Sequence, residues 1–250
     1  MSAHWPYPRV IAHRGGGSFA PENTLAAIRK GKELGFEGVE FDVMLAADSI
    51  PVLIHDETLE RTTSGRGAVA QTPSAELEGL DAGSWFSAAF SGEPVPGYAD
   101  AVRLCLELGI CANVEIKPAT GTERETGRVV AAMSARLWRG ARVPPLLSSF
   151  SIAALEAARA VAPRLARGLL AGEIPVDWRD RLVQLDCISL HCDYRYLTVA
   201  RAQGVKEAGY ALLCYTVNDP ATARELFDWG VDAVVTDRLD LVLPELGVSA

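Results

Sequence analysis

The sequence predicts an α/β fold, a TIM (β/α)8 barrel with a small inserted cap after the second strand. Three observations carry this: short β-branched runs alternate with longer amphipathic stretches throughout, eight such runs can all lie parallel, and 250 residues suit one barrel. An open doubly wound sheet shares the alternation, but repeated βα units of this number favour the barrel. The expected organisation is one domain over 1–250, with the cap at about 56–98.

The first strand is expected at 10–12 and leads through His13, Arg14 and three glycines into a helix at 23–34. Asn23 reads as its N-cap, with Pro21 and Glu22 in the approach. Gly35 and Gly38 are good helix-exit residues, and the second strand follows at 39–43. Further strands are predicted at 112–116, 146–149, 167–170, 187–190, 211–216 and 233–236, with helices at 99–108, 122–137, 152–160, 196–208 and 220–229. The unit between 165 and 187 is the weakest, with room only for a short helix at 176–182.

One stretch breaks the alternation. Val43-Met44-Leu45 and 50–54 flank the polar turn at 46–49, which reads as a β-hairpin. Symmetric pairing about Asp48-Ser49 would bring His55 back beside Asp42. The region that follows is rich in Gly, Ser, Thr and Pro and lacks a long periodic helix. An insertion of that length on a barrel loop is more often functional than idle, and it is expected to cap the mouth.

Bulk composition excludes several classes. A net charge of -8 with no block of Lys or Arg argues against a nucleic-acid partner. Any phosphate site must therefore be built locally. The five cysteines are scattered without CxxC spacing, which reads as free buried thiols in a reducing compartment. Met1 to Pro8 has neither a basic nor an apolar leader segment, and no apolar run reaches the ~20 residues of a membrane span. A cytoplasmic chain with no membrane span is the expectation.

Three carboxylates sit inside otherwise apolar strands. Glu40 and Asp42 are two apart, so strand alternation turns both to one face; Glu115 closes Ala112-Asn113-Val114-Glu115, and Lys117 shares its face. A salt-bridge network, such as Glu115 with Lys117, would explain any one acid alone. Two carboxylates about 4 Å apart repel by roughly 4 kcal/mol at an effective dielectric near 20. Three that converge call for protonation, several cations or a bound divalent ion, and oxygen ligands select Mg²⁺ or Ca²⁺.

Of four histidines, His13 and His55 close strand-like runs. Such a pair suits proton transfer near neutral pH; the bland alternative for either is metal ligation or a structural hydrogen bond. His4 is expected on the surface, and His191 is weighted towards a structural role. Arg14 and Lys117 are the cations best placed to meet a phosphate. The glycines at 15–17 lack nucleotide-loop spacing and are weak evidence alone.

These residues resemble those of the glycerophosphodiester phosphodiesterases, most closely the bacterial cytoplasmic UgpQ type. The resemblance rests on "HRGGGSFAPENT" from His13, "VEFDVMLAADSIPVLIHDETLERTTSGRG" from Val39, "LDAGSWF" from Leu80, "NVEIKP" from Asn113, "SSF" from Ser148, "LLCYTVND" from Leu212 and "VVTDRLD" from Val234. Tyr215 stands where many relatives carry Trp, as in the UgpQ type. Two departures, Asp48-Ser49 in place of an Asp-Gly turn and "VPGYADAV" from Val95, leave the site positions untouched.

The resemblance covers nearly the whole chain and implies a TIM barrel with a divalent ion at its mouth. By position it implies metal ligation by Glu40, Asp42 and Glu115, acid–base roles for His13 and His55, and phosphate contact by Arg14 and Lys117. The implied reaction converts small glycerophosphodiesters to sn-glycerol 3-phosphate and an alcohol. A phospholipase- or sphingomyelinase D-like enzyme and a non-catalytic phosphodiester-binding barrel are the alternatives. The first needs a membrane-contacting surface; Trp85, Phe86 and Phe90 are expected to form cap core instead. A homodimer is the base-rate expectation.

Overall fold

Every residue of β1 (Val10–Ala12) and β2 (Gly38–Leu45) is buried, the pattern of strands covered on both faces. The computed structural model describes residues 5–246; His4 lies outside the described residues. Helix α1 (Leu25–Glu33) joins the two strands, and β3 (Pro51–Leu53) turns back antiparallel on β2. The insertion that follows carries α2 (Ser74–Leu77) and leads into α3 (Tyr98–Leu108).

From there strands and helices alternate. The order is β4 (Cys111–Ile116), α4 (Glu123–Leu137), β5 (Leu146–Ser149), α5 (Ile152–Val161), β6 (Ala166–Ala171), α6 (Trp178–Leu185) and β7 (Ser189–Asp193). It continues with α7 (Val199–Glu207), β8 (Ala211–Tyr215), α8 (Pro220–Asp228), β9 (Ala233–Thr236) and α9 (Val242–Leu246). The sheet runs β1-β9-β8-β7-β6-β5-β4-β2, and β1 also pairs with β2, so the ring closes. Eight parallel strands form a TIM barrel, and β3 is an extra strand bonded to β2. The open doubly wound sheet is excluded by that closure.

The structure revises several local expectations. Thr24, not Asn23, caps α1, accepting a hydrogen bond from Ala27 N. The hairpin pairs Val43 with Leu53 and Leu45 with Pro51, one residue away from symmetry about Asp48-Ser49. The cause is Ser49, which takes a left-handed φ of 59° and lengthens the turn that closes with Ala46 N on Ile50 O. Extended in register, the ladder would set His55 opposite Phe41, so its meeting with Asp42 comes from the chain beyond β3.

Helix α6 begins and ends later than predicted. Its last carbonyls, at Leu185 and Asp186, accept from the guanidinium of Arg167, a buried residue of β6 that also meets Asp186 Oδ2 at 2.7 Å. β7 is likewise displaced towards its C-terminal end, running on to Asp193.

The main core lies between the barrel and its helices. The insertion has its own apolar cluster, built on Met44, Val52, Ile54, Leu59, Val69, Leu77 and Val95. Trp85, Phe86 and Phe90 lie outside it; Phe86 packs edge-to-face against Trp85 and Phe90 at ring separations of 5.7 and 5.6 Å. They are not the insertion's core: aliphatic side chains fill that space, and Trp85 Nε1 is tied to Ala82 O. All five cysteines are free; four are buried, while Cys111 is half-buried.

Candidate active site

Strand alternation turns Glu40 and Asp42 into the barrel, and the parallel register sets Asp42 against Glu115 on β4. One oxygen of each of the three acids lies within 4.8 Å of the others. Burial, reinforced by the charge of Asp42, pushes Glu40 up to about 7 and Glu115 up to about 8. Burial also opposes ionisation of Asp42, but Lys117 and Arg14 outweigh it and hold its pKa down. A cradle of crowded oxygens with two reluctant carboxylates fits a hard divalent cation, which would offset two of the three negative charges and leave Lys117 and Arg14 to balance the third.

Two cations already belong to the cradle. Lys117 Nζ lies 3.3 Å from Asp42 and 3.4 Å from Glu115, so the salt bridge expected from sequence exists alongside the cluster. Arg14 occupies a left-handed backbone conformation, φ 49°, that lets its own N–H donate to Glu40 Oε2 at 3.0 Å. Its guanidinium donates to Glu22 at 2.6 Å and brings Nε within 3.7 Å of Asp42.

Asn23, also left-handed at φ 58°, clasps Asp42 from both sides. Its Nδ2 donates to Asp42 Oδ2 at 2.8 Å, and its Oδ1 accepts from Asp42 N at 3.0 Å. This clasp replaces the capping role expected for Asn23.

Each histidine is held at Nδ1 by a carboxylate. His13 meets Asp237 at 2.7 Å and His55 meets Asp56 at 2.6 Å. This fixes ring orientation and leaves both Nε2 atoms for proton transfer. Burial disfavours charging His13, yet Asp237 and Glu40 raise its pKa overall; burial lowers that of His55 despite Asp42 and Asp56. Asp237 reaches His13 because Gly17 lacks a side chain: a Cβ there would stand 2.4 Å from Asp237 O, which accepts from Ser18 N.

His13, Arg14, Asp42, His55, Glu115 and Lys117 line one side of a cavity of about 390 Å³. Phe150, Asp193, Tyr194, Arg195, Tyr215 and Thr216 line the other. Glu40 lies deeper, at a small chamber beneath the mouth. The structure therefore brings all seven residues singled out by sequence to one place. His191 is fully buried, meets Ser189 Oγ at 2.9 Å and has its pKa lowered by burial to about 3, so it belongs to the barrel interior.

Sequence reasoning missed the supporting layer: Glu22, Asn23, Asp56, Arg61 and Asp237. Asp237 follows directly on β9, and the strand-end rule used for His13 would have flagged it. The contacts of Asn23 and Arg61 carry no local signal.

Residues 13–241 match the model of the glycerophosphoryl diester phosphodiesterase family. The chain is 34% identical over 228 residues to a glycerophosphodiester phosphodiesterase of Caldanaerobacter subterraneus subsp. tengcongensis, covering 91% of this chain and 93% of that one. A phosphodiesterase of Oleispira antarctica, solved in complex with the product sn-glycerol-3-phosphate, superposes with a TM-score of 0.91 at 40% identity, covering 99% of this chain and 100% of the other. A glycerophosphodiester phosphodiesterase of Agrobacterium tumefaciens gives a TM-score of 0.76 at 28% identity, with 94% and 98% covered.

Proposed function

The chain belongs to the glycerophosphoryl diester phosphodiesterase family, and from that premise we propose that it hydrolyses small glycerophosphodiesters to sn-glycerol 3-phosphate and an alcohol. It is an enzyme of the glycerophosphodiester phosphodiesterase class. One observation carries the specific reading: a three-carboxylate cradle flanked by two histidines, each held at Nδ1 by its own acid.

Glu40, Asp42 and Glu115 would hold Mg²⁺ or Ca²⁺, which when bound would supply Lewis acidity and offset most of the cradle's negative charge. The rest of the mechanism belongs to the chain's own groups. Arg14 and Lys117 stabilise the negative charge that grows on the phosphoryl oxygens. Arg14 Nε is buried 3.7 Å from Asp42 and has no hydrogen-bond acceptor among the described residues, so its charge is only partly engaged by the cradle. The two Nε2 atoms of His13 and His55 share the proton work. One takes the proton of the attacking group, either water or the substrate's own 2-hydroxyl on a route through a cyclic phosphate that water then opens. The other gives one to the leaving alcohol. Asp237 and Asp56 keep the rings aimed.

The insertion serves as a cap on a single catalytic barrel. Tyr215 supports kinship with the UgpQ type, and five unpaired thiols support a reducing, cytoplasmic compartment. Among the described residues, no helix is long and apolar enough to cross a membrane.

The test is release of glycerol 3-phosphate from glycerophosphocholine and glycerophosphoethanolamine, with and without a chelator. Metal-dependent release is expected. Full activity in chelator would remove the metal from the reading. Phospholipid cleavage is the second reading, favoured by the exposed Trp85 beside Phe86. It takes over if every small diester is inert and phospholipid vesicles are cleaved.

A further inference from the structure

The insertion sends Arg61 into the hydrogen-bonded frame of the site. Its guanidinium meets two carboxylates at once. Nε and Nη2 donate to the two oxygens of Asp56 at 2.5 and 3.0 Å, while Nη1 and Nη2 donate to the two oxygens of Glu22 at 2.7 and 2.8 Å.

Each carboxylate has a second partner in the site. Asp56 Oδ1 holds His55 Nδ1 at 2.6 Å, and Glu22 Oε1 accepts from Arg14 Nη1 at 2.6 Å. An unbroken chain of hydrogen bonds therefore runs His55–Asp56–Arg61–Glu22–Arg14. Its two ends hang on different elements: Arg14 follows β1, and His55 follows β3.

Anchoring the insertion does not require these bonds. The insertion has its own apolar cluster, and Ser74 is bonded to Asp48, Thr120 to Glu57, and Ala26 N to Glu93. All four hydrogen bonds of Arg61 go instead to the two acids behind His55 and Arg14. Side-chain exposure is 14% for Glu22 and 28% for Asp56, so losing their shared cation would leave two poorly solvated charges free to turn away. A planar fork can serve both acids in bidentate fashion, and a lysine can serve only one well.

We propose that Arg61 is a positioning residue of the reaction, locking the proton-transferring His55 and the phosphate-binding Arg14 at one fixed spacing. This rests on the roles given to those two residues above. Arg61 touches neither substrate nor reacting atoms; it acts through Asp56 and Glu22.

The test compares wild type, Arg61→Ala and Arg61→Lys on glycerophosphocholine with saturating divalent cation. A misplacement of about 1 Å costs on the order of 100-fold, so Arg61→Ala is expected to lose about that much in kcat/KM, through both lower kcat and weaker binding of glycerol 3-phosphate. Arg61→Lys should recover part of one effect only. Added methylguanidine should raise the Arg61→Ala rate several-fold, which mere loss of stability would not permit.

A second readout is independent of turnover: the low-field proton resonance of His55 Nδ1–H, assigned by its disappearance in His55→Gln. It should be present in wild type and broadened in Arg61→Ala at unchanged Tm. The proposal is overturned if Arg61→Ala keeps that resonance and stays within twofold of wild-type kcat/KM. It is equally overturned if activity is lost only with a large fall in Tm and without rescue. Wild-type inertness on all small diesters would instead sink the proposed function, and the resonance and product affinity would still decide whether Arg61 holds the two side chains.

Discussion

The two halves of the barrel mouth differ in how their charges are satisfied. Around the ends of β1, β2, β3 and β4, three acids crowd within 4.8 Å, and their neighbours Lys117 and Arg14 balance them only in part. Around β5, β7 and β8 the wall is Phe150, Tyr194 and Tyr215, and its one ion pair closes on itself: Arg195 grips both oxygens of Asp193 at 2.5 to 3.0 Å. On the proposed function, the unsatisfied half would receive a cation and an anion together. The self-satisfied half lines the cavity and, on the same reading, would orient what enters it. Chemistry should therefore fail through one half, and selectivity should drift through the other.

The largest effect should come from the charged half's histidines. His13→Ala or His55→Ala is expected to lower kcat by about 10²- to 10⁴-fold, the usual worth of acid–base catalysis. Steady-state kinetics on glycerophosphocholine decides this; wild-type turnover in either variant removes that histidine from the proton work and breaks the contrast.

Next comes the clasp behind the cradle. Asn23→Ala removes both hydrogen bonds to Asp42 and should weaken divalent-cation affinity by about 10- to 100-fold, as loss of an outer partner does at metal sites. Calorimetric titration of the protein with the ion measures it, and unchanged affinity would show that the cradle needs no such support.

A smaller change is expected on the aromatic side. Phe150 packs edge-on against Tyr215 with ring centroids 6.1 Å apart and is half exposed, so Phe150→Ala should raise KM several-fold and leave kcat nearly intact. If kcat falls as far as in the histidine variants, the division between the halves is wrong.

The smallest effect on turnover is expected at His191, where the change is in stability. His191 lies in β7, fully buried, with its pKa pushed down to about 3 from an unfolded value near 6.5. Between those values the unfolded chain binds a proton that the folded one refuses, so stability falls as pH drops below 6.5 towards 3. His191→Gln should flatten that acid-side loss in denaturant titrations run across this window, with little change near pH 8. An unaltered pH slope would mean that His191 is solvated when folded.

The same division separates what could be read early from what could not. The cradle was legible because Glu40 and Asp42 obey a period of two inside an apolar strand, a pattern that survives any choice of neighbours. The hairpin was legible, but its register was not, since Ser49 in a left-handed conformation adds a residue to the turn. Sequence alone puts the edge-to-face rings of Trp85, Phe86 and Phe90 in the insertion's core, and they lie outside it, because hydrophobicity says that rings pack and not where.

By itself, then, the sequence determined the repeated βα units, the face on which the acids lie and the strand ends that carry His13, Arg14, His55 and Lys117. These follow from local periodicity, which needs only a few consecutive residues. Only the tertiary structure decided that Asn23 clasps Asp42 and that Asp237 steadies His13 from 224 positions away. It alone joined Arg61 to Glu22 and Asp56. Those partnerships depend on ring closure and on the left-handed turns at Arg14 and Asn23, and neither leaves a periodic trace along the chain.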